Sequence, residues 1–254
     1  MQPLFHHSNP EPAPLLEPVP TVFPKIEGVD MAAVFVGKRL AGDFYDSIRV
    51  NPERVLFGML DVAGRREDTR ALLVAAQEIF RNSGAELFAR TDINESDAMT
   101  ELSLRINRHL IEISADVHSC PAFIASYHEK FGTLCYTNAG HTPALLRDAT
   151  GISELRSTGL PLGLFSHATC DAPIVALEKG ADLLLVSRGV IECNGHHDKA
   201  DEEFTLERVK DLLQAAAPTT AESLCKSVLT AVAEFTGNAP VCDDRTALAV
   251  VRAS

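Results

Sequence analysis

Four short segments carry charged side chains at the ends of predicted strands or at turns. They are residues 41–46 (AGDFYD), 60–64 (LDVAG), 187–190 (SRGV) and 242–246 (CDDRT). Three of them hold carboxylates, and the remaining one holds Arg188 where an acid would complete the set. Carboxylates held close together on rigid elements repel one another, and a hard divalent cation such as Mg²⁺ or Mn²⁺ relieves that repulsion through oxygen ligands. The segments predict a divalent-cation site if the fold brings them together.

A structural role explains each segment equally well when it is taken alone. Asp43 and Asp61 could cap turns, because aspartate side chains accept hydrogen bonds from nearby backbone N–H groups. The pair Asp243 and Asp244 could simply lie in a solvated turn. The two interpretations differ in whether the carboxylates converge in space.

The first elements that would position these segments are strands followed by two long helices. The runs 29–36, 44–50 and 54–62 are apolar or alternating and rich in β-forming residues, which predicts three strands. Apolar residues recur at helical spacing in 69–89 and 96–113, which predicts two amphipathic helices.

The rest of the chain predicts many strands, two helices and one strand. Five short stretches separated by Gly, Pro or Asp indicate an antiparallel meander: 122–127, 132–137, 144–147, 172–177 and 182–186. Helices at 206–216 and 220–235 and a closing strand at 246–251 follow. This order is an α+β pattern, unlike the regular alternation of a parallel sheet. Two antiparallel sheets with helices outside them would satisfy it.

The first 27 residues contain seven prolines and few residues that could form a packed face. Such a composition is typical of an extended arm or linker. We therefore predict a Pro-rich arm at 1–27 and one domain at 28–254.

Composition and charge exclude several classes of protein. The chain is 46% hydrophobic and 23% charged, which is close to the globular average. Its net charge of −12 would repel nucleic acid and anionic membranes. The start lacks the pattern of a signal peptide, no apolar run is long enough to span a bilayer, and the six cysteines are scattered without a CxxC pair. We expect a cytoplasmic protein with reduced thiols and with neither nucleic acid nor a membrane as a partner.

Five motifs together resemble the bacterial stage II sporulation protein E (SpoIIE) type of metal-dependent protein serine/threonine phosphatase. AGDFYD is similar to the family's GGDFYD, LDVAG to its strand-ending DVSG, and CDDRT to its DDxT. NAGHTP (138–143) and LPLGL (160–164) resemble its central motifs. The motifs stand in the family's order over about 29–251.

The resemblance implies an αββα sandwich whose inter-sheet cleft holds two Mn²⁺ or Mg²⁺ ions, which activate a water for in-line attack on phosphoserine or phosphothreonine. It implies that Asp61 bridges the ions, that Val62 contributes its backbone carbonyl, and that Asp243 is a ligand. Asp43 would bind or orient metal-bound water. The implied partner is a phosphorylated protein, such as an anti-sigma-factor antagonist. Asp46 and Asp244, within the same motifs, are assigned structural roles.

Arg188 departs from the family pattern. LLLVSRGVIE resembles the family's LLLYTDGVxE, and the Asp of that segment, normally a direct ligand, is Arg188 here. A guanidinium is permanently cationic and cannot ligate a metal, while its planar fork suits two carboxylates. We therefore expect Arg188 to be a functional residue of the cleft that pairs with Asp61 and Asp243.

Three functions stay open on the sequence. The first is a metal-dependent phosphatase. The second is a pseudophosphatase, which would present the same cleft to a phosphoprotein without hydrolysing it, and Arg188 favours this alternative. The third is an enzyme that uses one ion at Asp61, Val62 and Asp43, with Arg188 as a phosphate clamp. The expected metal content is accordingly two ions, one or none.

Two further places could take part in the chemistry. His141, in NAGHTP, could act as a general acid because histidine titrates near neutrality. We favour a turn residue, because in the family this segment mainly serves the sheet turn. Arg65 and Arg66, in the charged loop after Gly64, could hold a substrate phosphate or face solvent, and we favour solvent.

Overall fold

A computed structural model describes residues 17–37, 42–62, 66–114, 119–196, 202–217, 220–237 and 243–254, with only the backbone for 66–68. The strands are β1 (Val29–Val36), β2 (Gly42–Asn51), β3 (Arg54–Val62), β4 (Ala122–His128), β5 (Thr133–Ala139), β6 (Ala144–Asp148), β7 (Gly151–Leu155), β8 (Ile174–Ala176), β9 (Asp182–Val186) and β10 (Arg245–Arg252). The helices are α1 (Arg66–Leu87), α2 (Glu95–Ile113), α3 (Arg188–Ile191), α4 (Thr205–Ala215) and α5 (Ala221–Thr236).

The strands form two five-stranded antiparallel sheets that pack face to face. Sheet A has the order β1-β10-β9-β6-β7, and sheet B has the order β2-β3-β4-β5-β8. One apolar core lies between sheet B and helices α1 and α2, a second between the sheets, and a third between sheet A and helices α4 and α5. The inner strands, such as β3 and β4, are buried on both faces, because each sheet packs on helices on one side and on the other sheet on the other side. The predicted αββα sandwich is confirmed.

Alternation along β3 explains how an acid comes to face the space between the sheets. Phe57 and Met59 belong to the inter-sheet core, whereas Leu60 and Val62 belong to the core under the helices. Successive side chains of a strand point to opposite faces. Asp61 therefore points toward sheet A, at the end of the strand.

The predicted antiparallel meander does not form one continuous sheet, because its strands divide between the two sheets. β4, β5 and β8 belong to sheet B, whereas β6 and β9 belong to sheet A together with β7, which the sequence did not indicate. The chain changes sheets between Ala139 and Ala144, where Gly140 has a φ of +73°. A glycine suits this left-handed turn.

The helices differ from prediction mainly at their starts. α1 begins at Arg66, so part of the predicted charged loop is helical. The apolar pattern marks only where the buried face begins, and polar residues can form the turn before it. Gly64 and Arg65 lie outside the described residues. Among the helices that the structure describes, none is long and apolar enough to cross a membrane.

The described part of the predicted arm packs on the domain. Val19 donates its backbone N–H to Gln77 of α1 at 2.6 Å, and the Gln77 amide donates back to the Val19 carbonyl at 2.8 Å. The Thr21 hydroxyl donates to the Tyr45 carbonyl of β2 at 2.8 Å. Residues 17–24 thus lie against α1 and β2. The division between 27 and 28 stays a prediction.

Asp46 joins this segment, β2 and α1 through one buried carboxylate. It is 2% exposed and accepts hydrogen bonds from Arg81 Nε at 2.6 Å, Arg81 Nη2 at 2.9 Å and the Thr21 hydroxyl at 3.0 Å. Gln77 Nε2 adds a fourth at 3.1 Å. Asp46 lies three positions after Asp43, so it faces the helices rather than the inter-sheet cleft. Its structural role follows from these contacts.

Replacing Asp46 by Ala is expected to lower the free energy of unfolding by about 2–3 kcal/mol, because several buried donors lose their acceptor. The cost is moderated because the Arg81 side chain is 30% exposed and can reach water. Guanidinium denaturation measures the change. Asp92→Ala, which breaks the exposed pair of Arg90 and Asp92, is the control and should leave stability nearly unchanged. Equal effects of the two substitutions would contradict the structural role of Asp46.

The cysteines agree with the expectation of free, mostly buried thiols. Cys120, Cys135, Cys170 and Cys225 are buried, Cys193 is partly exposed, and all five are free. Cys242 lies outside the described residues.

Candidate functional site

Asp43 and Asp61 face each other at one end of the space between the sheets. They lie directly opposite on β2 and β3, and directly opposite residues share a face of the sheet. Both are nearly buried, at 9% and 6% exposure. From sheet A, the Thr246 hydroxyl donates a hydrogen bond to Asp43 Oδ2 at 2.6 Å. We call this place, around Asp43, Asp61, Arg188 and Thr246, the carboxylate cleft.

Val62 ends β3 beside the cleft, opposite Gly42 of β2. A Cβ atom added to Gly42 would lie far inside van der Waals contact with the Val62 carbonyl oxygen. The close approach of the two backbones therefore requires glycine here. The Val62 side chain is buried in the core under the helices, which fixes the residue whose carbonyl was predicted to serve as a ligand.

The wall of the cleft in sheet A is built around the end of β9 and the start of β10, where backbone N–H groups bind nearby side-chain oxygens. The Thr246 N–H donates to Ser187 Oγ at 3.0 Å, and the Asp244 N–H donates to Asp243 Oδ1 at 2.8 Å. A Cβ atom on Gly189 would clash with the Asp244 carbonyl. Asp244 is 1% exposed, which agrees with the structural role expected for it, whereas Asp243 is partly exposed.

Arg188 lies in the cleft but pairs differently from the prediction. Its Nε is 3.6 Å from Asp61 Oδ2 and 3.7 Å from Glu192 Oε2. The second partner is therefore Glu192 and not Asp243. The reason is the single helical turn α3, which places residues four apart on one face. Sequence reasoning missed Glu192, although the spacing of Arg and Glu in RGVIE could have indicated it.

The pKa values of the two buried acids are both raised. Burial raises the pKa of Asp43 to about 7, the neighbouring charges of Asp61 and Asp243 add to this, and the hydrogen bond from Thr246 opposes it. Burial also raises the pKa of Asp61, the charges of Asp243, Glu192 and Asp244 reinforce that effect, and Arg188 opposes it. The cleft thus concentrates negative charge that a cation would stabilise.

The donor set suits one hard divalent ion. The carboxylates of Asp61 and Asp43 and the carbonyl of Val62 are oxygen ligands of the kind that Mg²⁺ and Mn²⁺ prefer. No cluster of three or more His, Cys, Asp or Glu side chains that could hold a metal occurs within the described residues. Side chains alone therefore do not complete a shell, and backbone or water oxygens would be needed. A second ion at Arg188 does not fit, because the guanidinium repels it.

His141 lies in the turn between the sheets. Its lowered pKa makes it unsuited to act as a general acid at neutral pH. Burial lowers its pKa to about 4, so the imidazole is neutral at pH 7. Its Nδ1 contacts the Thr142 carbonyl at 3.0 Å, and its backbone N–H donates to Asn138 Oδ1 at 2.8 Å. These contacts support the interpretation of a turn residue.

Comparison with known proteins gives the same family as the motifs. The sequence model of the stage II sporulation protein E (SpoIIE) family matches residues 51–253, a range that includes Asp61, Arg188 and Asp243 but not Asp43. In Bacillus subtilis (strain 168), phosphoserine phosphatase RsbU is 27% identical over 194 residues, which are 74% of this chain and 55% of RsbU. Phosphoserine phosphatase RsbP is 23% identical over 158 residues, 60% of this chain and 37% of RsbP.

Solved structures share the fold. The SiaA-PP2C domain of Pseudomonas aeruginosa superposes with a TM-score of 0.73 at 17% identity and covers 88% of this chain and 85% of that domain. The chain spans about half or less of the length of the two curated relatives.

Proposed function

Because the chain belongs to the SpoIIE family, we propose that it is a cytoplasmic, divalent-cation-dependent phosphatase that hydrolyses phosphoserine or phosphothreonine on a signalling protein. The observation that carries the proposal is the buried pair Asp43 and Asp61, which face each other at the end of the inter-sheet cleft. Two nearly buried carboxyl groups side by side destabilise the folded chain when they are ionised, unless a cation neutralises their charge.

Asp61 and the Val62 carbonyl would hold a Mn²⁺ or Mg²⁺ ion, and Asp243 would be a further ligand from sheet A. The ion, when bound, supplies Lewis-acid activation of a water and neutralises charge on the phosphoryl group. Asp43, fixed by the Thr246 hydroxyl at 2.6 Å, would orient the attacking water. No covalent nucleophile is required for this chemistry.

The proposed substrate is a phosphorylated protein. RsbU and RsbP are named as phosphoserine phosphatases, and a phosphorylated anti-sigma-factor antagonist is the class of partner that the family resemblance implies. The net charge of −12 makes nucleic acid an unfavourable partner.

The direct test is phosphate release from a serine-phosphorylated anti-sigma-factor antagonist in the presence of Mn²⁺. We expect release that stops when EDTA is added and resumes when Mn²⁺ is restored in excess. Release that is unaffected by EDTA, or no release from any phosphoserine or phosphothreonine protein, would contradict the proposal.

Arg188 favours one alternative, a pseudophosphatase that binds a phosphoprotein without hydrolysing it. In that case the wild-type chain would retain the phosphorylated protein more tightly than the unphosphorylated form, and would release no phosphate. Phosphate release by Arg188→Asp but not by the wild type would support this alternative. Wild-type turnover that depends on Asp61 would exclude it.

Gly42→Ala tests the position of the Val62 carbonyl. The added Cβ must push the two strands apart, which is expected to cost about 1–3 kcal/mol of stability and to weaken Mn²⁺ binding. Thermal unfolding and Mn²⁺ titration measure the two effects. Gly151→Ala is the control for replacing a glycine away from the cleft. Its added Cβ meets no atom within 4 Å, so any loss of stability there comes from its φ of +134°, which disfavours alanine. If Gly42→Ala binds Mn²⁺ as tightly as the wild type does, the carbonyl is not a ligand.

A further inference from the structure

Arg188 places a fixed positive charge beside two acids of the carboxylate cleft. Its Nε is 3.6 Å from Asp61 and 3.7 Å from Glu192, which is longer than a hydrogen bond but within the range of ion pairing. The contact is therefore electrostatic and leaves the direction of the side chain loosely defined. The guanidinium therefore places a positive charge between the two carboxyl groups, where a metal ion would otherwise supply it.

The terminal nitrogens of Arg188 are available for a ligand. Within the described residues, neither Nη1 nor Nη2 donates a hydrogen bond, and the side chain is 49% exposed. A guanidinium offers parallel N–H donors that match two oxygens of a phosphate. Glu192 and Asp61 attract the guanidinium on its Nε side, so its terminal N–H donors can bind an oxyanion that enters the cleft.

The surrounding charge explains why one ion would still be required. Asp43, Asp61, Asp243 and Glu192 place several acids around the cleft, and a dianionic phosphate monoester would be repelled by them alone. One divalent ion beside Asp61 together with the fixed charge of Arg188 offsets most of that repulsion. Two divalent ions and a guanidinium within the same space would repel each other.

We infer that Arg188 is a tethered cation that takes the place of one of the two metal ions and binds the phosphoryl group of the substrate through its terminal N–H donors. This inference rests on the proposed function and specifies its metal content and its phosphate-binding group.

The number of ions tests the first half of the inference. Electron paramagnetic resonance of free Mn²⁺ during titration of the full chain should count one ion per wild-type chain and two per Arg188→Asp chain. Arg108→Asp makes the same change of charge on α2, at a 55% exposed side chain paired with Glu101, and should keep the wild-type count. Thermal unfolding checks that each variant is folded. A count of two or of none for the wild type would overturn the inference.

Phosphate binding tests the second half. Calorimetric titration of inorganic phosphate into the Mg²⁺-saturated chain should show affinity roughly tenfold to a hundredfold weaker in Arg188→Gln than in the wild type, as expected for lost charge-assisted hydrogen bonds. Arg188→Lys, which keeps the charge but not the fork, should lie between them. Equal affinity in the wild type and Arg188→Gln would overturn the phosphate-binding role.

These binding readouts separate the inference from the proposed function. If the wild-type chain binds one ion and binds phosphate through Arg188 but shows no turnover, the proposed phosphatase activity is contradicted and the inference about Arg188 is supported. If the wild-type chain binds two ions and shows turnover, the proposed phosphatase activity is supported and the inference about Arg188 is contradicted.

Discussion

Replacing Asp61 by Asn should reduce Mn²⁺-dependent phosphate release from a phosphoserine protein by roughly a hundredfold to a thousandfold. Asn keeps the size of the side chain but loses the charge that would hold the ion. Loss of about 3–4 kcal/mol of transition-state stabilisation corresponds to this range, since each 1.36 kcal/mol is a factor of ten in rate. Steady-state phosphate release at saturating Mn²⁺ measures the effect.

Asp211→Asn is the matched control for this substitution. Asp211 is an exposed residue of α4, on the outer side of sheet A, and its replacement makes the same change of charge away from the cleft. It should leave turnover within about twofold of the wild type. If Asp61→Asn keeps wild-type turnover, Asp61 is not a ligand, and the assignment of the cleft as the active site is wrong.

In the metal-free protein, Asp43→Asn should increase stability at pH 8. Burial raises the pKa of Asp43 from 3.8 to about 7, so the folded chain holds a proton that the unfolded chain releases. Stability is therefore unaffected by Asp43 below about pH 3.8, falls as the pH rises toward 7, and stays reduced above pH 7. At about 1.4 kcal/mol per pH unit, this shift corresponds to a cost on the order of 4 kcal/mol.

Asn removes this cost because it is neutral at every pH, and its amide oxygen can still accept the hydrogen bond from Thr246. Denaturation in EDTA from pH 4 to pH 8 should show a stability gain that grows with pH and levels off above pH 7. Asp211→Asn should show no such growth. A gain that is independent of pH, or a loss at pH 8, would contradict the raised pKa of Asp43.

The sequence left open whether Asp43 and Asp61 converge, although the pairing that brings them together follows local rules. Each lies near the end of a strand with alternating or apolar character, and antiparallel neighbours in a hairpin bring such ends together. The same rule separates Asp46, three positions later, from the cleft and places it under α1. The fold class followed from the order of elements and from the family motifs.

Features that depend on distant pairing could not be anticipated. The sheet to which β6 and β7 belong is decided by packing on α4 and α5, which a local pattern does not contain. The contact of Val19 with Gln77 joins residues 58 positions apart and involves no apolar periodicity. Arg188 was expected beside Asp243, but the short helix α3 brings Glu192 to it instead.

The proposed function depends on one coordination site, and a manganese anomalous difference map of crystals of the wild-type chain grown with Mn²⁺ tests it most directly. We expect a strong peak at coordination distance, about 2.0–2.6 Å, from Asp61 Oδ and the Val62 carbonyl, and no second peak at the Arg188 guanidinium. A map with manganese bound only elsewhere, and none at Asp61, would contradict the claim that the carboxylate cleft is a metal centre.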